Sequence, residues 1–232
     1  MHIHSPHYPS RPTSIISHSQ RCIHTNLKFS LPCTCTDKLE MVTQFKFLGV
    51  TVDSHFKFDL HINNLNSKLR TCSYMIFQLR NFLQPGPLRI VYCALVESLI
   101  RYGLQSWGNT SKSFLDSVTA QQKRILKAMI SRRMSSHIEY FQKFNVLPAP
   151  LLFKYIQIVN FYYKQEYKET ADHHYSTRTC NLFKESRFTN EYGRQLLEHT
   201  VPNFLNKLPV ELRDLTKISE VKKGVKQWLL FT

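Results

Sequence analysis

The chain has 232 residues, 42% of them apolar, which is room for one large domain or two small ones around a modest core. Lys and Arg number 31 against 16 Asp and Glu, a formal net charge of +15 that polyanions would relieve, so nucleic acid is the first partner to expect and an anionic membrane surface the second. Only six glycines argue against a turn-rich all-β fold, and six cysteines with no Cys-x-x-Cys pair read as reduced thiols rather than a disulfide framework.

Neither an apolar leader nor an eighteen-residue uncharged apolar run is visible. The expected setting is intracellular, cytoplasmic or nuclear, with no secretion and no membrane partner.

Residues 1–36 are rich in His, Ser, Pro and Thr without a sustained period of two or 3.6. They read as a disordered N-terminus, with a strand near Leu27–Leu31. From Phe45 to Asp53 the chain is aromatic and β-branched, which predicts a strand with Gly49 at a bend. A helix follows from about Asp59. Its Ile62, Leu65, Leu69, Cys72, Ile76 and Leu79 recur at spacings of three and four and share one face.

Pro85-Gly86-Pro87 breaks that helix, and a second, apolar nearly all round, is expected over Leu88–Tyr102. Gly103 and Gly108 then bracket Trp107, which reads as a core anchor. Ser113 and Asp116 suggest a capping box for a third helix burying Leu115, Val118, Ile125 and Met129. Further helices are expected near 138–143, over 151–168, near 210–215 and over 220–230, with a polar stretch at 170–195. The expected domains are 1–36, a strand-plus-thumb region over 37–135, and an α-rich region over 136–232.

The order of these pieces resembles the region after the palm of non-LTR, LINE-type (Jockey-like) retrotransposon reverse transcriptases. The residues that carry the likeness are Phe47-Leu48-Gly49-Val50-Thr51-Val52-Asp53 with His61-Ile62, Tyr102-Gly103 with Trp107-Gly108-Asn109, and Gln121-Gln122-Lys123-Arg124. Tyr175-Ser176-Thr177-Arg178, Asn206-Lys207-Leu208-Pro209 and the closing Lys222-Lys223 to Leu229-Leu230 continue it. One departure is Phe204-Leu205, where a Trp is expected before Asn206. The likeness covers roughly residues 40–232. It implies a mainly α fold: a helical thumb bundle led in by one or two short strands, then a smaller α-rich C-terminal region.

Nucleotidyl transfer in that family needs two metal ions held by carboxylates, including an adjacent Asp-Asp pair. The six aspartates here (37, 53, 59, 116, 172 and 214) are scattered, with no Asp-Asp dipeptide. The resemblance therefore implies a truncated remnant that is not an enzyme. No cofactor is expected, since Mg would belong to a palm that this sequence lacks.

What the resemblance leaves is the part that grips a duplex, with Phe47, Leu48 and Gly49 at the primer end. Basic residues supply phosphate contacts: Lys123, Arg124, Lys127, Arg132 and Arg133, in a run uninterrupted by acids, and Lys68, Arg70 and Arg80 on the first helix. Lys222, Lys223 and Lys226 form a third group, with Glu220 near enough to pair with one of them. A solvated basic face is the bland alternative for each run. His2, His4 and His7 with Cys33-Thr34-Cys35 lack the second ligand pair that structural zinc needs.

The function expected is thus non-specific binding of RNA, DNA or RNA–DNA hybrid through phosphates. The alternatives are a helical protein–protein module, or the product of a decayed element without function.

Overall fold

The structure is a computed structural model that describes residues 15–17, 40–130, 136–164, 182–194 and 196–231. Arg132, Arg133, the N-terminal His and Cys groups, the strand expected near Leu27–Leu31 and the Tyr175–Arg178 stretch lie outside the described residues. Two compact units are divided between His61 and Ile62.

In the first unit, strand β1 (Ile15–Ser17) pairs antiparallel with β2 (Glu40–Val42), Ile16 opposite Met41. A strand therefore lies inside the stretch read as disordered. The single strand expected over 45–53 is a hairpin: β3 (Gln44–Phe47) and β4 (Val50–Asp53), with Phe45 opposite Val52 and Phe47 opposite Val50. Leu48 (φ 44°) and Gly49 (φ 84°) close it. Positive φ at both central positions is the turn whose twist matches the strands. Glycine adopts it freely, whereas leucine does so under strain.

Asp53 organises the corner after the hairpin. Its Oδ1 accepts the N–H groups of His55 (2.9 Å) and Lys57 (3.1 Å), and its Oδ2 that of Phe58 (2.7 Å). These bonds span a turn in which Phe56 and Phe58 both have positive φ, 53° and 58°. Burial alone pushes the Asp53 carboxyl up, but the donors on Lys57, Phe58 and His55 outweigh it and hold the group below its ordinary value.

Helix α1 (Asp59–Leu79) starts as expected, with Asp59 Oδ1 accepting the Leu60 N–H at 2.7 Å. Ile62, Leu65, Leu69, Cys72 and Ile76 are buried on one face, while Leu79 at its end is half-buried. Helix α2 (Pro85–Tyr92) begins at the prolines rather than after them. Proline breaks the preceding helix but fits the first turn of the next, where its missing N–H has no intrahelical partner anyway. A π-helical turn (Cys93–Glu97) and α3 (Ser98–Arg101) complete what periodicity reads as one helix.

Gly103 has φ 64° and opens α4 (Leu104–Trp107). Trp107 is fully buried and its indole N–H donates to the Tyr102 carbonyl at 3.1 Å, so it is the core anchor expected. Gly108 has no space for a Cβ, which would collide with the Leu104 carbonyl and the Phe153 ring. The Tyr-Gly and Trp-Gly pairs are thus packing devices.

Helix α5 (Lys112–Ala128) has Ser111, not Ser113, at its N-cap position with no side-chain capping bond, and the expected capping box does not form. The hydroxyls of Ser111 and Ser113 bond each other instead, at 3.0 Å. Val118, Gln122, Ile125 and Leu126 are its buried face. There follow α6 (His137–Lys143), α7 (Ala149–Lys164), α8 (Glu191–Arg194), α9 (Leu197–Asn206), α10 (Val210–Arg213) and α11 (Ile218–Phe231). Helix α7 is the hub, packing on α4, α5, α9 and α11. The architecture is mainly α with short leading strands, as expected, and helices on both sides of residues 131–135 build the second unit.

Candidate nucleic-acid interface

Helices α1 and α5 lie side by side and run in the same direction. Asn66 Nδ2 donates to Ser117 Oγ at 2.9 Å, and further along Arg80 Nη1 donates to the Ala128 carbonyl at 3.3 Å. Ser117, Arg124 and Ala128 are spaced by seven and four residues and so share one stripe of α5, the stripe that meets α1. Arg70 stands one turn beyond Asn66 on the matching stripe of α1. Arg70 and Arg124 are both exposed. Two arginines from segments far apart in sequence therefore border one seam, with Arg80 at its end stacked 4.2 Å over the Phe77 ring.

Lys68 is also exposed, but two residues from Arg70 it points nearly half a turn away and does not join the seam. Lys123, half-buried, and Lys127, exposed, lie on the flank of α5 beyond Arg124. The Lys127 ammonium sits 6.0 Å from the Tyr140 ring centre. Among the described residues no carboxylate pairs with Lys68, Arg70, Lys123 or Arg124. Glu220 pairs with Lys217 (3.4 Å), the residue just before α11, and not with Lys222, Lys223 or Lys226.

The hairpin tip stands by itself in the first unit. Phe47 is 57% exposed and Leu48 74% exposed, so neither is the buried strand residue that a bland reading of their type predicts. Gly49 completes the turn between them and β4.

Two of the motif residues have structural work. Gln122, fully buried, donates to the Tyr92 hydroxyl and the Leu147 carbonyl, both at 3.2 Å, and accepts the Ala149 N–H at 2.8 Å. It ties α2, α5 and the start of α7. Asn206 clasps the segment before α8, accepting the Phe183 N–H (2.8 Å) and donating to the Phe183 carbonyl (3.0 Å) and Glu185 Oε1 (2.9 Å). In place of the expected Trp, Phe204 meets the Phe153 ring edge-to-face at 6.3 Å.

Among the described residues no group of three or more His, Cys, Asp or Glu is placed to hold a metal ion, and no helix is long and apolar enough to cross a membrane.

Comparison with known proteins adds the decisive observation. Over 95 residues the chain is 35% identical to the RNA-directed DNA polymerase from mobile element jockey of Drosophila melanogaster. Over 114 residues it is 32% identical to a probable RNA-directed DNA polymerase from transposon BS of the same fly. The chain carries a fragment similar to LINE-type reverse transcriptases. The two matches take in 39% and 44% of this chain but only 10% and 12% of those polymerases, so the chain spans about a tenth of the length of the curated relatives it matches. No family model and no solved structure matches.

These matches correct one expectation. The absence of an Asp-Asp pair was read as meaning that the protein is not an enzyme. Both relatives are named as polymerases, and the matched tenth of their length does not report on their remaining residues. Loss of catalysis is therefore not shown by this sequence.

Proposed function

We propose that this chain contributes a nucleic-acid-holding surface to a reverse-transcriptase-related protein, binding RNA, DNA or RNA–DNA hybrid through phosphates. The observation that carries the reading is the α1–α5 seam, bordered by Arg70 and Arg124 with no carboxylate partner among the described residues. Arginine's planar fork suits phosphate oxygens, and the net charge of +15 adds long-range attraction. Such contacts set affinity and carry no base-sequence readout. Lys123 and Lys127 extend the surface along α5, with Lys68 as an outlying contact. The exposed hairpin tip of Phe47, Leu48 and Gly49 is a second, separate contact.

Fluorescence anisotropy of a labelled RNA–DNA hybrid, titrated with the full chain, tests this. Affinity should fall by at least about tenfold between 50 and 200 mM salt, as expected when several phosphate contacts release counterions.

The rival reading is a protein–protein module. Tyr74, Phe77 and Phe82, on and just after α1, are exposed large apolar side chains that would suit a partner. Docking of that kind is nearly insensitive to salt, so the same titration separates the two.

A further inference from the structure

A cleft of about 560 Å³ opens in the second unit on the side made by α3, α4, α7 and α11. Its polar lining is Arg101, Gln105, Ser106, Asn160 and Lys222, and Tyr155 with an aliphatic stretch of α7 forms the wall. None of these residues belongs to the α1–α5 seam. We infer that this cleft binds a nucleotide unit through its phosphate, a site separate from the nucleic-acid surface proposed above.

The chemistry of the lining selects the ligand class. Two cations from elements far apart in sequence, Arg101 and Lys222, converge on one cavity. Glu97 Oε1 receives both Arg101 Nε and Nη2 at 2.8 Å, which fixes the guanidinium and leaves three of its five N–H groups unspent. The same guanidinium lies 5.9 Å from the Tyr155 ring centre. Lys222 is exposed and has no carboxylate partner among the described residues. Glu97 offsets one of the two positive charges, so what is left for a phosphate is the Lys222 ammonium beside the three unspent N–H donors of Arg101.

A lone phosphate would leave most of the cavity empty, since its volume lies within the range that holds drug-sized ligands. Tyr155 and the aliphatic wall offer a flat apolar surface to a base. The amides of Gln105 and Asn160 and the hydroxyl of Ser106 offer donors and acceptors to a base edge or ribose. Such a unit could be a free nucleotide or the 5′-phosphorylated end of a strand.

Isothermal titration of the full chain with AMP, adenosine and inorganic phosphate tests the assignment. AMP should bind at least tenfold more tightly than either of the others, and Lys222→Ala should weaken it at least threefold. Asn160→Leu, on a different element, should weaken AMP while leaving inorganic phosphate unchanged. AMP binding no tighter than adenosine, or indifferent to both substitutions, would overturn the site. AMP no tighter than inorganic phosphate would reduce it to an anion site and also overturn the nucleotide assignment.

A trinucleotide with and without a 5′-phosphate identifies the source. A gain in trinucleotide affinity from the 5′-phosphate that excess AMP abolishes assigns a strand end, and no such gain assigns a free nucleotide. The seam reading fails separately, through loss of salt-dependent hybrid binding with AMP binding retained.

Discussion

The Asn66 side-chain amide donates to the Ser117 hydroxyl at 2.9 Å across fifty-one residues of sequence, and this bond joins the two helices whose seam Arg70 and Arg124 border. The Ser117 hydroxyl in turn donates to the Phe114 carbonyl at 2.7 Å, so it serves both as acceptor and donor. The Asn66 Oδ1 is buried without a partner.

That asymmetry gives a stability prediction. Ser117→Ala strands the buried amide of Asn66 and should cost about 1–3 kcal/mol. Asn66→Leu removes the orphaned acceptor along with the bond, and should cost less than Ser117→Ala. Urea denaturation of both variants checks the order, and an equal or reversed order would contradict the role given to Ser117.

Gln122 carries more. Gln122→Leu leaves the Tyr92 hydroxyl, the Leu147 carbonyl and the Ala149 N–H without their side-chain partner, all in the core. The expected loss is at least about 2 kcal/mol, because each abandoned buried group costs about 1–3 kcal/mol. A midpoint in urea close to the parent's would mean that water or a neighbour replaces the amide.

Two glycines should respond oppositely to alanine. Gly108→Ala pushes a methyl into the Leu104 carbonyl and the Phe153 ring, an overpacking of about 1–3 kcal/mol. Gly86→Ala, in the first turn of α2 with open space around it, should be neutral or stabilise by up to about 1 kcal/mol. Thermal melts of the pair read this directly.

Asp53 predicts a pH dependence. Its carboxyl is held below the ordinary value by the N–H donors of the turn, so the ionised form is favoured in the fold. The stability this contributes is present above the unfolded pKa and is lost as pH falls through the lower, folded one. Asp53→Asn should flatten the fall in stability below about pH 4, the ordinary carboxylate range. An unchanged acid limb would show that other carboxylates dominate it.

Much of the fold was legible in the sequence, because local spacing decides which face of a helix is apolar. The run Ile62, Leu65, Leu69, Cys72 and Ile76 is the clearest example, all buried as spaced. Helix α9 was missed because Pro202 sits inside it, and proline ordinarily argues against a helix interior. The hairpin was missed because Leu48 is not a turn residue by type.

For the site, residue type and charge were legible and assembly was not. Lys68 and Arg70 were grouped as neighbours in sequence, although helical geometry turns them apart. That Arg70 and Arg124 share a seam depends on the pairing of α1 with α5, a tertiary fact with no local signature. Gln121 and Gln122 looked like part of a basic motif, yet Gln122 belongs to the core.

The most direct measurement is the salt dependence of hybrid binding for the parent chain and for Arg70→Ala, Arg124→Ala and the double variant. Each phosphate contact contributes about one unit to the slope of log affinity against log salt. The double variant should lose about two units, each single variant about one, and Lys68→Ala should lose less than either. A slope unchanged in the double variant, or parent binding indifferent to salt, would contradict the seam as the nucleic-acid surface.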